Sequence, residues 1–173
     1  KKGGNLIFIR HAYAPGGGDP NNFNINDCKT QRNLSNAGRE QAKKIGSFFK
    51  DNNIPIEKVY SSEWCRCKET ALIAFNKFET KIFLNSFFSS QFVKNKDIQM
   101  KKLKSFIKNW NENKSFLNSF FSSKFAQNKD PQIKKLKRFI KNWDSKKNLV
   151  FITHYVVISE ILNYGSLSGE IVI

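Results

Sequence analysis

NLIFIRH (Asn5–His11) and NLVFITH (Asn148–His154) are the two stretches that decide the fold. Each is a short, unbroken apolar run of strand length without polar alternation. Such a run suits a strand buried on both faces, as parallel strands covered by helices are. Each run ends in a histidine, and His11 and His154 are the only two histidines in the chain. In open α/β sheets ligands bind just beyond the carboxyl ends of the strands. If the two strands are neighbours, both imidazoles face one crevice.

The intervening elements follow from that frame. Ala14 to about Asn33 reads as a polar, Gly/Pro-rich loop. Ser35 is placed to cap a helix whose apolar face carries Ala42, Ile45, Phe48 and Phe49 and which Asn52, Asn53 and Pro55 end. Lys58–Ser61 reads as a second strand, Cys65–Phe75 as a helix and Lys81–Leu84 as the start of a third strand. After the fourth strand at Asn148–Thr153, Val156–Asn163 reads as a helix and Glu170–Ile173 as a last strand. Strands alternating with helices predict one α/β domain over residues 1–173. The expected architecture is a three-layer sandwich with a mostly parallel central sheet flanked by helices.

Composition sets outer limits. The chain has 173 residues, 39% of them hydrophobic, which suits one domain with a real core and is not a disordered composition. Lys and Arg number 30 against 14 Asp and Glu, a net charge of +16. Such a field attracts anions: nucleic acid, acidic membrane surface or phosphorylated substrates. Here the lysines spread along the chain, and the dense stretches Lys101–Lys104 and Lys134–Lys137 read as the wet faces of amphipathic helices. Without a base-stacking motif or a zinc set, neither a nucleic-acid nor a membrane partner is expected. No run of about 18 apolar residues predicts a membrane-spanning helix. The chain starts at Lys1 without a signal peptide, which leaves a removed leader, and hence bacterial cytoplasm or periplasm, open. The odd count of three cysteines argues against a disulfide framework, and Cys65 and Cys67 read as packing residues.

An internal tandem repeat occupies Phe83–Ser115 and Phe116–Asn148. The copies align without gaps at a period of 33 residues, with 23 of the 33 aligned pairs identical. Each unit reads as a strand or turn followed by a helix, with Leu103, Phe106, Ile107 and Trp110 on the apolar face of the first and Leu136, Phe139, Ile140 and Trp143 on that of the second. Two copies do not build a solenoid. Identity this high points to a recent duplication, natural or engineered. With no histidine in either copy, the repeat reads as an architectural insertion. One unit fits between the third and fourth strands. The other must sit outside, pair on a sheet edge or exchange with a neighbouring chain, so a domain-swapped or otherwise repeat-mediated homodimer is the expectation.

Chemistry-bearing residues gather around the two histidines. Arg10 precedes His11. Arg66 falls in the first turn of the helix after the second strand, where a guanidinium fork and helix N–H groups both suit phosphate oxygens. A surface salt bridge to Glu63 or Glu69 is the structural alternative for Arg66. Gly16–Gly18 suit a phosphate-binding nest or simply a flexible loop. Arg32 is an additional candidate anion contact.

Arg10-His11-Ala12 resembles the R-H-G signature of the histidine phosphatase (phosphoglycerate mutase-like) superfamily, with Ala in place of the usual Gly. Leu34-Ser35-x-x-Gly38-x-x-Gln41-Ala42 resembles its L-(S/T)-x-x-G-x-x-Q-A helix. Tyr60-Ser61-Ser62 through Arg66 and Glu69-Thr70-Ala71 resembles its Y-S-S…R…E-T-A segment, and Thr153-His154 its second histidine. RHAxAPGGGDP with DCxTQRNLS is similar to a small bacterial subgroup. The resemblance covers about residues 5–80 and 148–165. It implies a phosphoglycerate mutase-like fold and a metal- and cofactor-independent phosphatase. His11 would be the phosphorylated nucleophile, with Arg10, Arg66 and His154 around the phosphoryl oxygens and Arg32 and Tyr155 as substrate contacts. Its implied partner is a phosphorylated small molecule or a phosphohistidine protein. One departure stands out. The family's general acid is missing from both usual places, since FLNSFFSSQF has no Glu and Tyr155 follows His154 where one branch has Asp. Glu63 and Asp27 remain candidate acids. A catalytically impaired anion-binding domain on the same fold is the alternative.

Overall fold

β1 (Leu6–Arg10) and β4 (Asn148–Thr153) lie side by side and parallel in the middle of a five-stranded sheet. The register pairs Leu6 with Leu149 and runs through to Arg10 opposite Thr153. That register decides the site, because it sets His11 and His154 next to each other beyond the same sheet edge. The computed structural model describes residues 3–88, 90–120 and 147–173, with the side chains of 90–91 and 110–120 left aside.

The sheet is completed by β2 (Ile56–Ser61) and β3 (Glu79–Thr80) on one side and β5 (Ile171–Val172) on the other, in the order β3-β2-β4-β1-β5. All neighbours are parallel except β5, which runs antiparallel to β1. All six residues of β4 are buried, as an apolar run covered on both faces requires.

Helices cover the two faces. On one side lie α1 (Asn36–Asp51) and α2 (Cys65–Phe75). Ser35 caps α1 by accepting from the Gly38 N–H at 3.1 Å, and Gly38, Ala42, Ile45 and Phe49 form its buried stripe. This layer packs Ile45, Phe49, Cys67 and Ala71 onto Ile7, Ile9, Val150 and Ile152. Phe92 of the short α3 (Ser90–Val93) packs with Trp64 and this same core. On the opposite face lie α4 (Lys96–Phe120) and α5 (Tyr155–Leu162). There Met100, Leu103, Val157 and Ile158 meet Phe8, Leu149 and Phe151. The alternation of Ile7 and Ile9 with Phe8 between the two cores is the period-two signature of a strand sandwiched by two helical layers. The fold is thus mixed α/β with a mostly parallel sheet, as the sequence predicts. Among the described residues no helix is long and apolar enough to cross a membrane.

Two local expectations need correction. The third strand is the exposed pair Glu79–Thr80, while Ile82–Leu84, expected as strand, forms a 3-10 turn that buries Leu84. Burial of that single apolar side chain is met by a turn over the sheet rather than by extending the edge. The first repeat unit supplies this turn, then α3 and the docked part of α4. α4 continues across the repeat boundary to Phe120, so FLNSF is turn and extended chain at 83–87 but helix at 116–120. The rest of the second unit, including Lys134–Lys137, Leu136, Phe139, Ile140 and Trp143, lies outside the described residues.

Candidate active site

His11 begins where β1 ends, its N–H donating to the Thr153 carbonyl at 2.9 Å. Its ring is 2% exposed, and Nδ1 lies 2.8 Å from the Ala12 carbonyl. A carbonyl only accepts, so Nδ1 carries the proton and Nε2 keeps its lone pair. Burial above all, then the charge of Arg66, pushes the His11 pKa down to about 3, so the ring is neutral. The Nε–H of Arg66 points at that lone pair from 3.3 Å.

The surrounding backbone is held by the motif residues. Thr70 on α2 accepts from the Ala12 N–H at 3.0 Å and donates to the Arg66 carbonyl at 2.7 Å, tying the end of β1 to the start of α2. Gln41 on α1 accepts from the Tyr13 N–H at 2.8 Å. Gly38 lets α1 approach this segment, since a Cβ there would run into the Tyr13 carbonyl.

His154 lies across from His11, with ring centroids 5.4 Å apart. It is 3% exposed, and burial, Arg66 and His11 all lower its pKa. Arg66, also 3% exposed, places Nη2 at 3.4 Å from His154 Nδ1, so its guanidinium touches both imidazoles. Its salt-bridge partner is neither Glu63 nor Glu69 but Asp19, which takes Nη1 at 2.7 Å and Nη2 at 3.2 Å. Glu69 instead pairs with Arg39 at 2.6 Å. Asp19 also accepts from Trp64 Nε1 at 2.9 Å and from the Arg32 N–H at 3.0 Å. Burial raises the Asp19 pKa, but hydrogen bonds and charge from Arg66 outweigh it and hold the carboxyl below its usual range.

These groups line a cavity of about 360 Å³ together with Arg10, Arg32, Tyr155 and Gly16–Gly18. Arg10 donates to the Ser166 carbonyl at 2.8 Å and lies 5.4 Å from the Tyr155 ring centroid. Arg32 Nη1 donates to the Ala14 and Gly16 carbonyls. Burial lowers the pKa of both Arg10 and Arg32, with Arg66 adding to the effect. Among the described residues, three guanidiniums and one carboxylate face the cavity. The buried Nε–H groups of Arg10 and Arg32 have no acceptor among the described residues. With three guanidiniums against one carboxylate, the charge on the cavity walls suits an anion.

All six predicted site residues thus meet at one cavity. The two candidate acids do not. Glu63 is engaged by Asn85 Nδ2 at 2.7 Å, and Asp27 caps the 3-10 turn Cys28–Thr30 by accepting from the Lys29 N–H at 2.9 Å. Neither lies on the cavity wall. Among the described residues no group of three or more His, Cys, Asp or Glu is arranged to hold a metal ion.

Three further readings change. Cys28 and Cys65 form a disulfide with Cα atoms 5.7 Å apart, against the expectation from an odd count and against Cys65 as a packing residue. The long loop folds back onto the start of α2, where Gln31 Oε1 also accepts from the Cys65 N–H at 2.9 Å. That approach is tertiary and invisible to a parity argument. Cys67 does pack: it is free and buried, and burial pushes its pKa up to about 12. Nor is the repeat purely architectural, since Ser86, Phe88 and Phe92 line the cavity and Asn85 joins the hydrogen bonds behind His154. Asp19 and Asn85 escaped the sequence reading; the GGGDP stretch around Asp19 was the only signal.

The profile of the histidine phosphatase superfamily (branch 1) matches residues 6–166. The chain belongs to the histidine phosphatase superfamily. By family it is a phosphatase. Solved structures of the fold include the protein histidine phosphatase SixA complexed with tungstate, at 11% identity and a TM-score of 0.51 over 95% of this chain and 80% of that one. Mycobacterial hydrolase 1 is 14% identical with a TM-score of 0.54, over 96% and 88%. A phosphoserine phosphatase variant from Entamoeba histolytica in complex with phosphoserine is 18% identical with a TM-score of 0.50, over 96% and 87%. At these identities the likeness is one of fold. No curated relative matches the sequence.

Proposed function

We propose that this histidine phosphatase works without a metal, through a phosphohistidine on His11. Its substrate is a phosphomonoester or a phosphohistidine, carried by a small molecule or a protein. The observation that carries the reading is the Nε2 lone pair of His11, fixed by the Nδ1–H bond to Ala12 and set against Arg66 Nε at 3.3 Å. A neutral imidazole in that tautomer is a nucleophile. Arg10, Arg66 and His154 surround the position of the transferred phosphoryl group, and the two guanidiniums neutralise charge spread over its oxygens. Arg32 and Tyr155 border the same cavity and contact the rest of the substrate. Among the structural relatives, one is a protein histidine phosphatase and another was captured with phosphoserine, in line with both substrate types.

One observation favours a second reading. Asp19 occupies both terminal nitrogens of Arg66, the fork that would take phosphate oxygens. A catalytically impaired anion-binding domain would look like this. A chromogenic phosphomonoester incubated without metal separates the two. Turnover that disappears in His11→Ala supports the phosphatase. Turnover that survives the substitution overturns the mechanism, and no turnover on any phosphomonoester or phosphohistidine favours binding alone. We infer further that the repeated segment mediates a homodimer, which a monomeric mass by light scattering would refute.

A further inference from the structure

Ser62, Asn85 and Glu63 form a hydrogen-bond chain behind His154, and a backbone group fixes its direction. The Glu63 N–H can only donate, and it lies 2.9 Å from Asn85 Oδ1. The Asn85 amide is therefore oriented with its oxygen toward that N–H, while Nδ2 donates to Glu63 Oε2 at 2.7 Å. Ser62 has one proton, and it goes to the same Asn85 Oδ1 at 3.0 Å. Ser62 Oγ can then only accept from His154 Nε2, 2.9 Å away. So the proton of neutral His154 sits on Nε2, where Cys67 Sγ at 3.4 Å is a second, weak acceptor, and Nδ1 carries the lone pair. Nδ1 is the nitrogen beside Arg66 Nη2, and Nε of that same guanidinium touches His11.

We propose that Asn85 is a positioning residue that holds His154 as a proton acceptor at Nδ1, so that His154 takes the proton of the water that cleaves the phosphohistidine on His11. The mechanistic half of this rests on the phosphatase reading above; the tautomer does not. In the step, the water oxygen bonds to phosphorus. The bond from phosphorus to His11 Nε2 breaks, and its electron pair returns to the ring. The water proton passes to His154 Nδ1, which gives it to solvent as phosphate leaves. Burial and Arg66 keep His154 neutral beforehand, the state that can accept. The imidazolium formed is steadied through Nε2–H, Ser62 and Asn85 by the Glu63 carboxylate.

Nitrogen NMR of histidine-labelled protein tests it directly, because the chain has only two histidines. The expected spectrum shows His154 Nδ1 unprotonated and Nε2 protonated. In Asn85→Leu the Ser62 proton is released toward Nε2, so the His154 tautomer inverts. On a chromogenic phosphomonoester kcat then falls about ten- to hundredfold, while the inhibition constant of inorganic phosphate stays within about twofold. The double variant Asn85→Asp with Glu63→Gln rebuilds the chain with the amide on the other side and restores both tautomer and kcat. A protonated Nδ1 in the parent protein overturns the proposal. So does an Asn85→Leu protein with unchanged tautomer, whatever its activity. If Asn85→Leu fails to fold, the parent spectrum and the double variant still decide. A correct tautomer in a protein without any phosphatase activity removes the catalytic step and the phosphatase reading together, and leaves Asn85 setting the tautomer.

Discussion

Asp19 grips Arg66 with both carboxylate oxygens, at 2.7 Å from Nη1 and 3.2 Å from Nη2. The two side chains are 15% and 3% exposed, so this pair is not a surface bridge. Its removal leaves a buried guanidinium with two unused donors and also strips Trp64 Nε1 of its acceptor. Asp19→Ala is expected to cost about 3 kcal/mol, in the range for breaking a buried pair from one side. It should also lower kcat/KM, because Arg66 loses the contact that aims it at His11. Urea unfolding measures the first effect; a loss under about 0.5 kcal/mol would mean that the pair is as weak as a surface one.

The Cys28–Cys65 bridge closes a loop between residues separated by 37 positions. Loop-closure entropy for that length predicts about 3–4 kcal/mol of stabilisation. Cys28→Ser together with Cys65→Ser should lower the melting midpoint by several degrees and abolish any further drop on adding reductant. A parent protein whose midpoint ignores reductant would contradict the bridge.

Both histidines are neutral in the fold, His11 with its pKa near 3 and His154 also displaced downward. In the unfolded chain each returns to about 6.5 and binds a proton that the folded state refuses. Stability is therefore fully present above about pH 6.5 and declines as the pH falls toward 3, by up to about 1.4 kcal/mol per pH unit for each histidine. Melting midpoints measured across this window should fall steadily. In His154→Gln the slope should be shallower. A midpoint that does not change down to about pH 4 would show that the rings are protonated or solvated in the fold.

The first repeat unit docks through Leu84, Phe87, Met100, Leu103, Phe106 and Ile107. At the corresponding positions the second unit has Leu117, Phe120, Ile133, Leu136, Phe139 and Ile140, so only Met100 differs in kind. Asn118 likewise matches Asn85. Deleting residues 83–115 joins Ile82 to Phe116 and is expected to give a folded protein with phosphatase activity within about threefold of the parent, since a Met-to-Ile exchange in a core costs roughly 1 kcal/mol. Circular dichroism and metal-free turnover check this. An unfolded deletion product would show that the copies are not interchangeable.

Much of the architecture was legible because its signals are local. An apolar run covered on both faces reads directly as β1 or β4, and Ser35 with Gly38 announces the start of α1. β3 failed because two exposed residues on a sheet edge carry no periodicity. The cavity residues Arg10, His11, Arg66 and His154 sit in motifs tied to strand ends. Asp19 and Asn85 do not, since their partners lie 47 and 23 positions away in sequence. Only the folded chain brings those distances together, and the same holds for the pairing of Cys28 with Cys65.

The bridge also makes the cavity conditional on its surroundings. It pins the loop that supplies Gly16–Asn21 and Phe23 to the helix turn that begins with Cys65 and Arg66. A thiol-buffered compartment opens such bridges and an oxidising one keeps them. The same polypeptide would then meet its substrate with a tethered cavity wall after export, and with a looser one wherever thiols prevail.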